Sequence, residues 1–285
     1  KPKKNSSNYN INKRVVIKML QLNNQNYHSD EANQHYFSNS QYKDFLTCEA
    51  MAMAKINGWR QPVTDSLLVG SYVHAYFEGA EAFEDFKETN PGIFSSRGKT
   101  KGELKSPFQF ANHMIQAIEQ DPLCLFVLQG QKEVIMTAEF AGALWKIKID
   151  SYNPNRLRFS DIKTVKEIQK EIWDPQNGYV SFVEANRYTT QMALYAEIER
   201  RVVGRDGWIE PIIVAVSKED PPDKAVLTIN AYDIQRELEE IERHMPRFIE
   251  VKAGHEEPTR CEKCRYCRET KKLNSIIHYS ELLAQ

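Results

Sequence analysis

The sequence predicts a single α/β domain, with a central β-sheet and helices before and after it along the chain. Three observations carry this. The 285 residues, 41% apolar and 11% aromatic, suffice for one large buried core. Short apolar runs bounded by turn residues fill the middle of the chain. On both sides of them apolar residues recur at helical spacing, and no internal repeat or convincing linker divides the whole.

Residues 1–36 are rich in Asn, Ser and Lys and read as an N-terminal arm or loop, interrupted by "RVVIKMLQL", which could form one strand. Residues 37–285 read as the domain itself. Ser38 to Gln41, "SNSQ", has the spacing of a capping box; Phe45, Leu46, Cys48, Met51 and Ile56 follow as one helical stripe that Gly58 ends. A second helix runs through "VGSYVHAYFEGAEAFEDF", with Val69, Val73, Tyr76, Phe77, Ala80 and Phe83 on one face. Gly70, His74 and Glu78, at i, i+4 and i+8, line the stripe beside it. A basic loop leads to a third helix, with Pro107 suited to its first turn.

Strands follow at "CLFVLQG", "EVIMTAEFA", "LWKIKIDSY" and, after an "NPN" turn, "LRFSDIKT". The segment "YVSFVEANRYTTQMALYAEIERRV" reads as one long amphipathic helix. Strands "IEPIIVAVS" and "AVLTIN" and a helix through "DIQRELEEIERHMPRFIEV" complete the order.

The composition excludes several classes. No run of eighteen apolar residues occurs, and the basic start of the chain is not followed by an apolar stretch, so neither a membrane span nor a secretory signal is expected. With 38 basic and 39 acidic residues, the net charge of -1 argues against non-specific coating of nucleic acid. Five cysteines, three of them clustered late, fit a reducing, cytoplasmic setting better than a disulfide framework.

An acid two residues before a lysine is weak evidence alone. Asp85/Lys87, Glu103/Lys105, Glu250/Lys252 and Glu269/Lys271 share that spacing with Asp161/Lys163. Context separates the last. Strand alternation places Leu157, Phe159, Asp161 and Lys163 on one face, and places Trp145, Ile147 and Ile149 opposite Lys148 and Asp150 in the preceding strand. A hairpin through "NPN" would bring Asp150 beside Asp161. Two converging carboxylates repel unless a divalent cation neutralises them, and such a cation could acidify a water beside a phosphodiester that a lysine helps to position. Glu133 or Glu139 could reach the same place from a neighbouring strand, and Glu78 could stand behind His74.

Asp150 followed by Asp161-Ile162-Lys163 resembles the core of the PD-(D/E)xK nuclease superfamily. "GSYVH", Gly70 to His74, resembles the histidine motif of its RecB-like branch, and "QMALY", Gln191 to Tyr195, resembles that branch's Q-x-x-x-Y helix. From about Tyr27 to Leu273 the chain is similar to the phage and prophage exonucleases of the RecE, or exonuclease VIII, type. The resemblance implies a restriction-endonuclease-like core with a central mixed sheet. It also implies a Mg²⁺- or Mn²⁺-dependent exonuclease acting on double-stranded DNA ends in recombination, with 5′ to 3′ polarity, a ring-like oligomer and a single-strand annealing partner. Asp150, Asp161, His74 and the Ile162 carbonyl would hold the metal. Lys163 would act on the nucleophilic water, and Gln191 and Tyr195 would organise the site or touch the backbone. Arg187, read as one turn before Gln191, is added as a phosphate contact.

"CEKCRYC" places Cys261, Cys264 and Cys267 among Arg260, Lys263, Arg265 and Arg268, a basic segment spanning about residues 258–273 that would favour thiolates or contact DNA. Three thiols need a fourth for tetrahedral Zn²⁺ or a 4Fe-4S cluster. Some RecB-like nucleases pair one upstream cysteine with three late ones, and Cys48 would be that partner here; the narrower spacing of the last two departs from those relatives. Cys124 reads as a buried core thiol. Two other functions compete with the exonuclease: a non-catalytic nucleic-acid-binding protein on the same fold, and a structure-specific endonuclease.

Overall fold

The computed structural model describes residues 20–280. Most of "RVVIKMLQL" therefore lies outside the described residues. The stretch read as arm or loop holds a helix, α1 (Asp30–His35), capped by the Ser29 side chain; Tyr27, Ala32 and Tyr36 are buried around it.

The expected first helix is two helices, α2 (Asn39–Thr47) and α3 (Glu49–Ile56), broken at Cys48, whose backbone is extended. Ser38 does accept from the Gln41 N–H, as the capping spacing demands. The Gln41 side chain bonds Asn33 and Lys252 instead of closing the box. The second helix is likewise two, α4 (Asp65–Glu78) and α5 (Ala80–Thr89), because Gly79 turns to a φ of 155° that other residues rarely adopt. Next come α6 (Ser106–Glu119), with Pro107 in its first turn, and α7 (Pro122–Val127). The latter corrects the strand expected at "CLFVLQG". Asp121 caps the N–H groups of Leu123 and Cys124, and Pro122 is preset for a helix start, so capping outweighs the apolar run.

Strands β1 (Gln131–Phe140), β2 (Ala143–Asn153) and β3 (Arg158–Val165) form an antiparallel meander, with "NPN" making the β2–β3 turn as expected. A small hairpin, β4 (Ile172–Asp174) and β5 (Gly178–Val180), follows, and the segment expected as one long helix from Tyr179 to Val202 begins in its second strand and continues as two helices, α8 (Phe182–Ala185) and α9 (Tyr188–Val203). Arg187, with a φ of 54°, separates the two helices. Nor is α9 amphipathic: every residue from Thr189 to Glu199 is buried.

Strands β6 (Glu210–Ser217) and β7 (Lys224–Thr228), then α10 (Ala231–Ala253) and α11 (Arg265–Glu269), finish the order. The sheet runs β1-β2-β3-β6-β7, antiparallel except for the parallel β3–β6 pair, and that parallel pair needs the crossover that α9 supplies. It is thus the mixed sheet flanked by helices that the resemblance implied. Both faces are buried, as β6 shows: Ile213 and Ala215 join the core beneath α9 and α10, while Ile212, Val214 and Val216 join the core beneath α4 and α6. The continuous apolar run of β6 follows from having no wet face.

Candidate active site

Two helices from opposite faces of the sheet bring side chains to the point where β2 and β3 separate. Their register ends at the Ser151/Ser160 pair, so Asp150 and Asp161 stand just beyond it. Alternation in β2 also slips there. Ile149 and Tyr152 both join one core although three residues apart, while Ser151 donates to the Leu128 carbonyl on the other side. Beside the slip, Glu133 holds a φ of 53° within β1.

Gly70 explains how α4 reaches the site. A Cβ there would lie 3.1 Å from Thr164 Oγ1, so the glycine lets the helix approach β3 closely. One turn later His74 Nδ1 stands 3.1 Å from Asp150 Oδ2, which also accepts the Ile162 N–H at 3.0 Å. From the other face, Gln191 on α9 donates to Asp161 Oδ1 at 2.6 Å and accepts from Lys163 Nζ at 2.8 Å. Lys163 Nζ is 2.5 Å from Asp161 Oδ2 and sits 4.7 Å from the centre of the Tyr188 ring. Gln191 thus locks acid and lysine into one geometry.

The charges respond to one another. Burial disfavours ionising Asp150, yet His74, Lys163 and the Ile162 N–H outweigh it and hold its carboxyl down to about 2. Burial and the Asp150 charge push Asp161 above the usual carboxylate range. Burial opposes charge on His74 and Lys163 too, but the two aspartates hold both above their ordinary values.

These donors suit a hard divalent cation. His74 and Asp150 meet on one side, Asp161 acts on both from the neighbouring strand, and Asp161 Oδ2 is buried without a well-directed hydrogen bond although Lys163 touches it. His74, Asp150, Ile162 and Lys163 all line one open cleft of about 1540 Å³.

Residues 38–270 match the family described as a PDDEXK-like domain of unknown function, DUF3799. The chain belongs to this family. Among solved structures it is similar to a candidate exonuclease from Eubacterium rectale, at 39% identity and a TM-score of 0.88, covering 93% of this chain and 99% of that one. A second structure, of SSO0001, aligns at 12% identity with a TM-score of 0.27, covering 80% of this chain and 91% of its own. No curated protein matches.

Other expected site residues of this PDDEXK-like chain divide. Tyr195 does not line the cleft; it is buried behind Gln191, whose side chain it bonds, with its ring 6.3 Å from that of Phe159. Arg187 is exposed and precedes α9 instead of lying a turn earlier within it. Glu133 and Glu78 line the cleft, Glu133 paired with Lys148, and burial and that glutamate push Glu78 upward. Glu139 is exposed near the far end of β1, opposite Leu144. Sequence reading missed Tyr188, three residues before Gln191 and on the same side of the helix, a spacing that could have found it.

The cysteines assemble as a second centre. The sulfurs of Cys48, Cys261, Cys264 and Cys267 lie within 4.8 Å of one another, with Cys48 and Cys267 at 3.6 Å. The break between α2 and α3 is what aims Cys48 at the others. Backbone N–H groups of Cys264 and Cys267 point to the sulfurs of Cys261 and Cys264. Burial raises the Cys261 thiol, but N–H groups of Lys263 and Cys264 bring it down to about 7; burial pushes Cys264 up to about 12. The segment is moored independently of any ion: Glu49 accepts from Arg247 and the Thr259 N–H, and the Ala50 N–H donates to the Thr259 carbonyl. Four sulfurs so placed suit tetrahedral Zn²⁺ or an iron-sulfur cluster. Arg265 pairs with Glu269 beside this centre, and Arg268 is exposed there. Cys124 is buried in α7.

Proposed function

We propose that this protein hydrolyses phosphodiester bonds of double-stranded DNA from its ends. The observation that carries the reading is the Asp161–Lys163–Gln191 lock facing Asp150 and His74 at the cleft. Asp150, Asp161, His74 and the Ile162 carbonyl would hold Mg²⁺ or Mn²⁺, which when bound neutralises phosphodiester charge and acidifies water. Lys163, oriented by Asp161 and Gln191, positions the attacking water or the phosphoryl oxygen. The water oxygen bonds to phosphorus, the bond to the leaving sugar oxygen breaks, and that oxygen departs protonated.

The likeness to the Eubacterium rectale protein favours an exonuclease over an endonuclease. Resemblance to RecE-type enzymes supports 5′ to 3′ polarity, a place in phage-type recombination beside an annealing protein, and a ring of subunits. The four-cysteine centre would hold Zn²⁺ or a 4Fe-4S cluster and tie the C-terminal segment to α3.

The test compares linear and closed circular duplex DNA incubated with Mg²⁺, beside Lys163→Ala. Linear DNA alone is degraded, and the variant loses the activity. Digestion of the circle would replace the exonuclease with an endonuclease, and inertness toward both would end the enzymatic reading.

A further inference from the structure

We propose that Lys43 and Arg187 hold a phosphate of the DNA backbone beside the one being cut, at the rim of the catalytic cleft. The inference rests on the nuclease reading and supplies what that reading lacks, a grip on the strand, because Lys163 is already committed to Asp161 and Gln191. Two elements bring the pair together. Lys43 lies on α2 one turn after Ser40, which lines the cleft, and its ammonium donates to the Asn186 carbonyl at 2.7 Å. Arg187 follows in the bend between α8 and α9, and after it Tyr188 lines the cleft. Lys43 Nζ stands 5.5 Å from the centre of the Tyr188 ring, and Lys163 Nζ 4.7 Å from that same centre. The lysine of the site thus shares one ring with an ammonium from another helix.

What these cations lack is an anion. Two acids act on Lys43, and both are engaged elsewhere: Asp44 pairs with Lys55 at 2.6 Å, and Asp161 with Lys163 and Gln191. Arg187 is exposed, and its guanidinium makes no hydrogen bond or ion pair among the described residues. Burial lowers the Lys43 ammonium below its ordinary range, and the charges of Lys163 and Arg187 lower it further, so the three cations repel one another. Arg187 also keeps a φ of 54°, a conformation glycine would adopt without strain. Like charges gathered without a counter-ion are relieved by an anion that arrives with the substrate.

The plainer explanation makes Lys43 a strut between α2 and the end of α8. It accounts for one of three N–H donors and for none of the charge, since the Asn186 carbonyl is neutral, and it leaves Arg187 aside.

Positive charge also continues past the rim, and this selects the occupant. Asn186 and Tyr188 line a groove of about 460 Å³ together with Lys166, Lys170 and Lys218, against one acid, Glu167, which pairs with Lys170 at 3.7 Å. Tyr188 and Lys218 line the cleft as well, so groove and cleft are continuous. A run of cations that begins beside the reacting lysine fits a backbone of successive phosphates better than one small anion.

Binding is measured by the anisotropy of a labelled blunt duplex oligonucleotide, titrated with the full chain at several salt concentrations in buffer without Mg²⁺ or Mn²⁺. Each phosphate contact adds about 0.9 to the slope of log affinity against log salt. Lys43→Gln keeps a donor for the Asn186 carbonyl but no charge, so it should bind more weakly with a slope shallower by about 0.9. Arg187→Gln should do the same, and the double variant should lose about 1.8. Lys43→Arg should keep the wild-type slope, and unchanged melting temperatures show that each variant is folded. With Mg²⁺, Lys43→Gln should lower kcat/KM on linear duplex chiefly through KM. A wild-type slope in either glutamine variant, or wild-type binding that is absent or indifferent to salt, overturns the proposal. Digestion of linear DNA by wild type with Mg²⁺ tests the nuclease reading separately.

Discussion

Replacing Gln191 with alanine tests whether one neutral side chain orders the site. Gln191 is only 8% exposed and makes two hydrogen bonds to ionised partners, 2.6 Å to Asp161 and 2.8 Å to Lys163. Bonds of that kind are worth roughly 1.5–3 kcal/mol each, and the buried Asp161 oxygen would lose its donor. Water in the vacated space recovers part of this, so the variant should lose about 2–4 kcal/mol of folding stability, read by urea denaturation. Lys163 would keep its charge but lose its aim, and a displacement on the order of 1 Å can cost about 100-fold in rate. Digestion of linear duplex should therefore fall roughly 10- to 100-fold in kcat, with KM little changed. Because Gln191 acts through Lys163, the double variant with Lys163→Ala should be no slower than Lys163→Ala alone. Full multiplication of the two losses, or an unaltered kcat in Gln191→Ala, would refute the reasoning.

Three further outcomes follow from the same geometry. His74→Ala should weaken Mn²⁺ binding by at least about tenfold in calorimetry, and equal affinity would remove His74 from the metal shell. Cys48→Ser should lower zinc or iron content in purified protein and leave Cys261 readily alkylated; equal content would show that three late cysteines suffice. Burial, with the Lys146 charge behind it, brings Lys252 down to about 7, where it bonds the Tyr36 carbonyl and Gln41. Between pH 7 and the ordinary lysine range the unfolded chain binds a proton that the folded chain lacks, so this group makes stability rise with pH across that window. Denaturation at pH 6, 7.5 and 9 should show a flatter pH response in Lys252→Met, and parallel curves would contradict it.

Chain order and residue chemistry made much of the candidate site legible. Asp150, Asp161, Lys163, His74 and Gln191 were each named from spacing or resemblance, and the fold brings them together. Cys48, far from the other cysteines in sequence, joins them in space. The misreadings share a cause. Periodicity carries through a break when apolar residues continue on both sides, so the interruptions at Cys48, Gly79 and Arg187 were invisible. At "CLFVLQG" an apolar run concealed a helix that Asp121 and Pro122 start.

What the sequence determined by itself was local: where turns, caps and alternating strands must fall, and which acids and lysine share a strand face, because these depend on dihedral preference and a period of two. Tertiary structure decided what only contact can decide. Burial on all sides turned α9 from an amphipathic helix into a core element, and placed Tyr195 behind Gln191 instead of in the cleft. Sheet order put Glu133 in the cleft and Glu139 away from it. The separation of β2 from β3 set Asp150 against His74 and the Ile162 N–H, because a carboxylate's partners are fixed by which surfaces close on it and not by its neighbours along the chain.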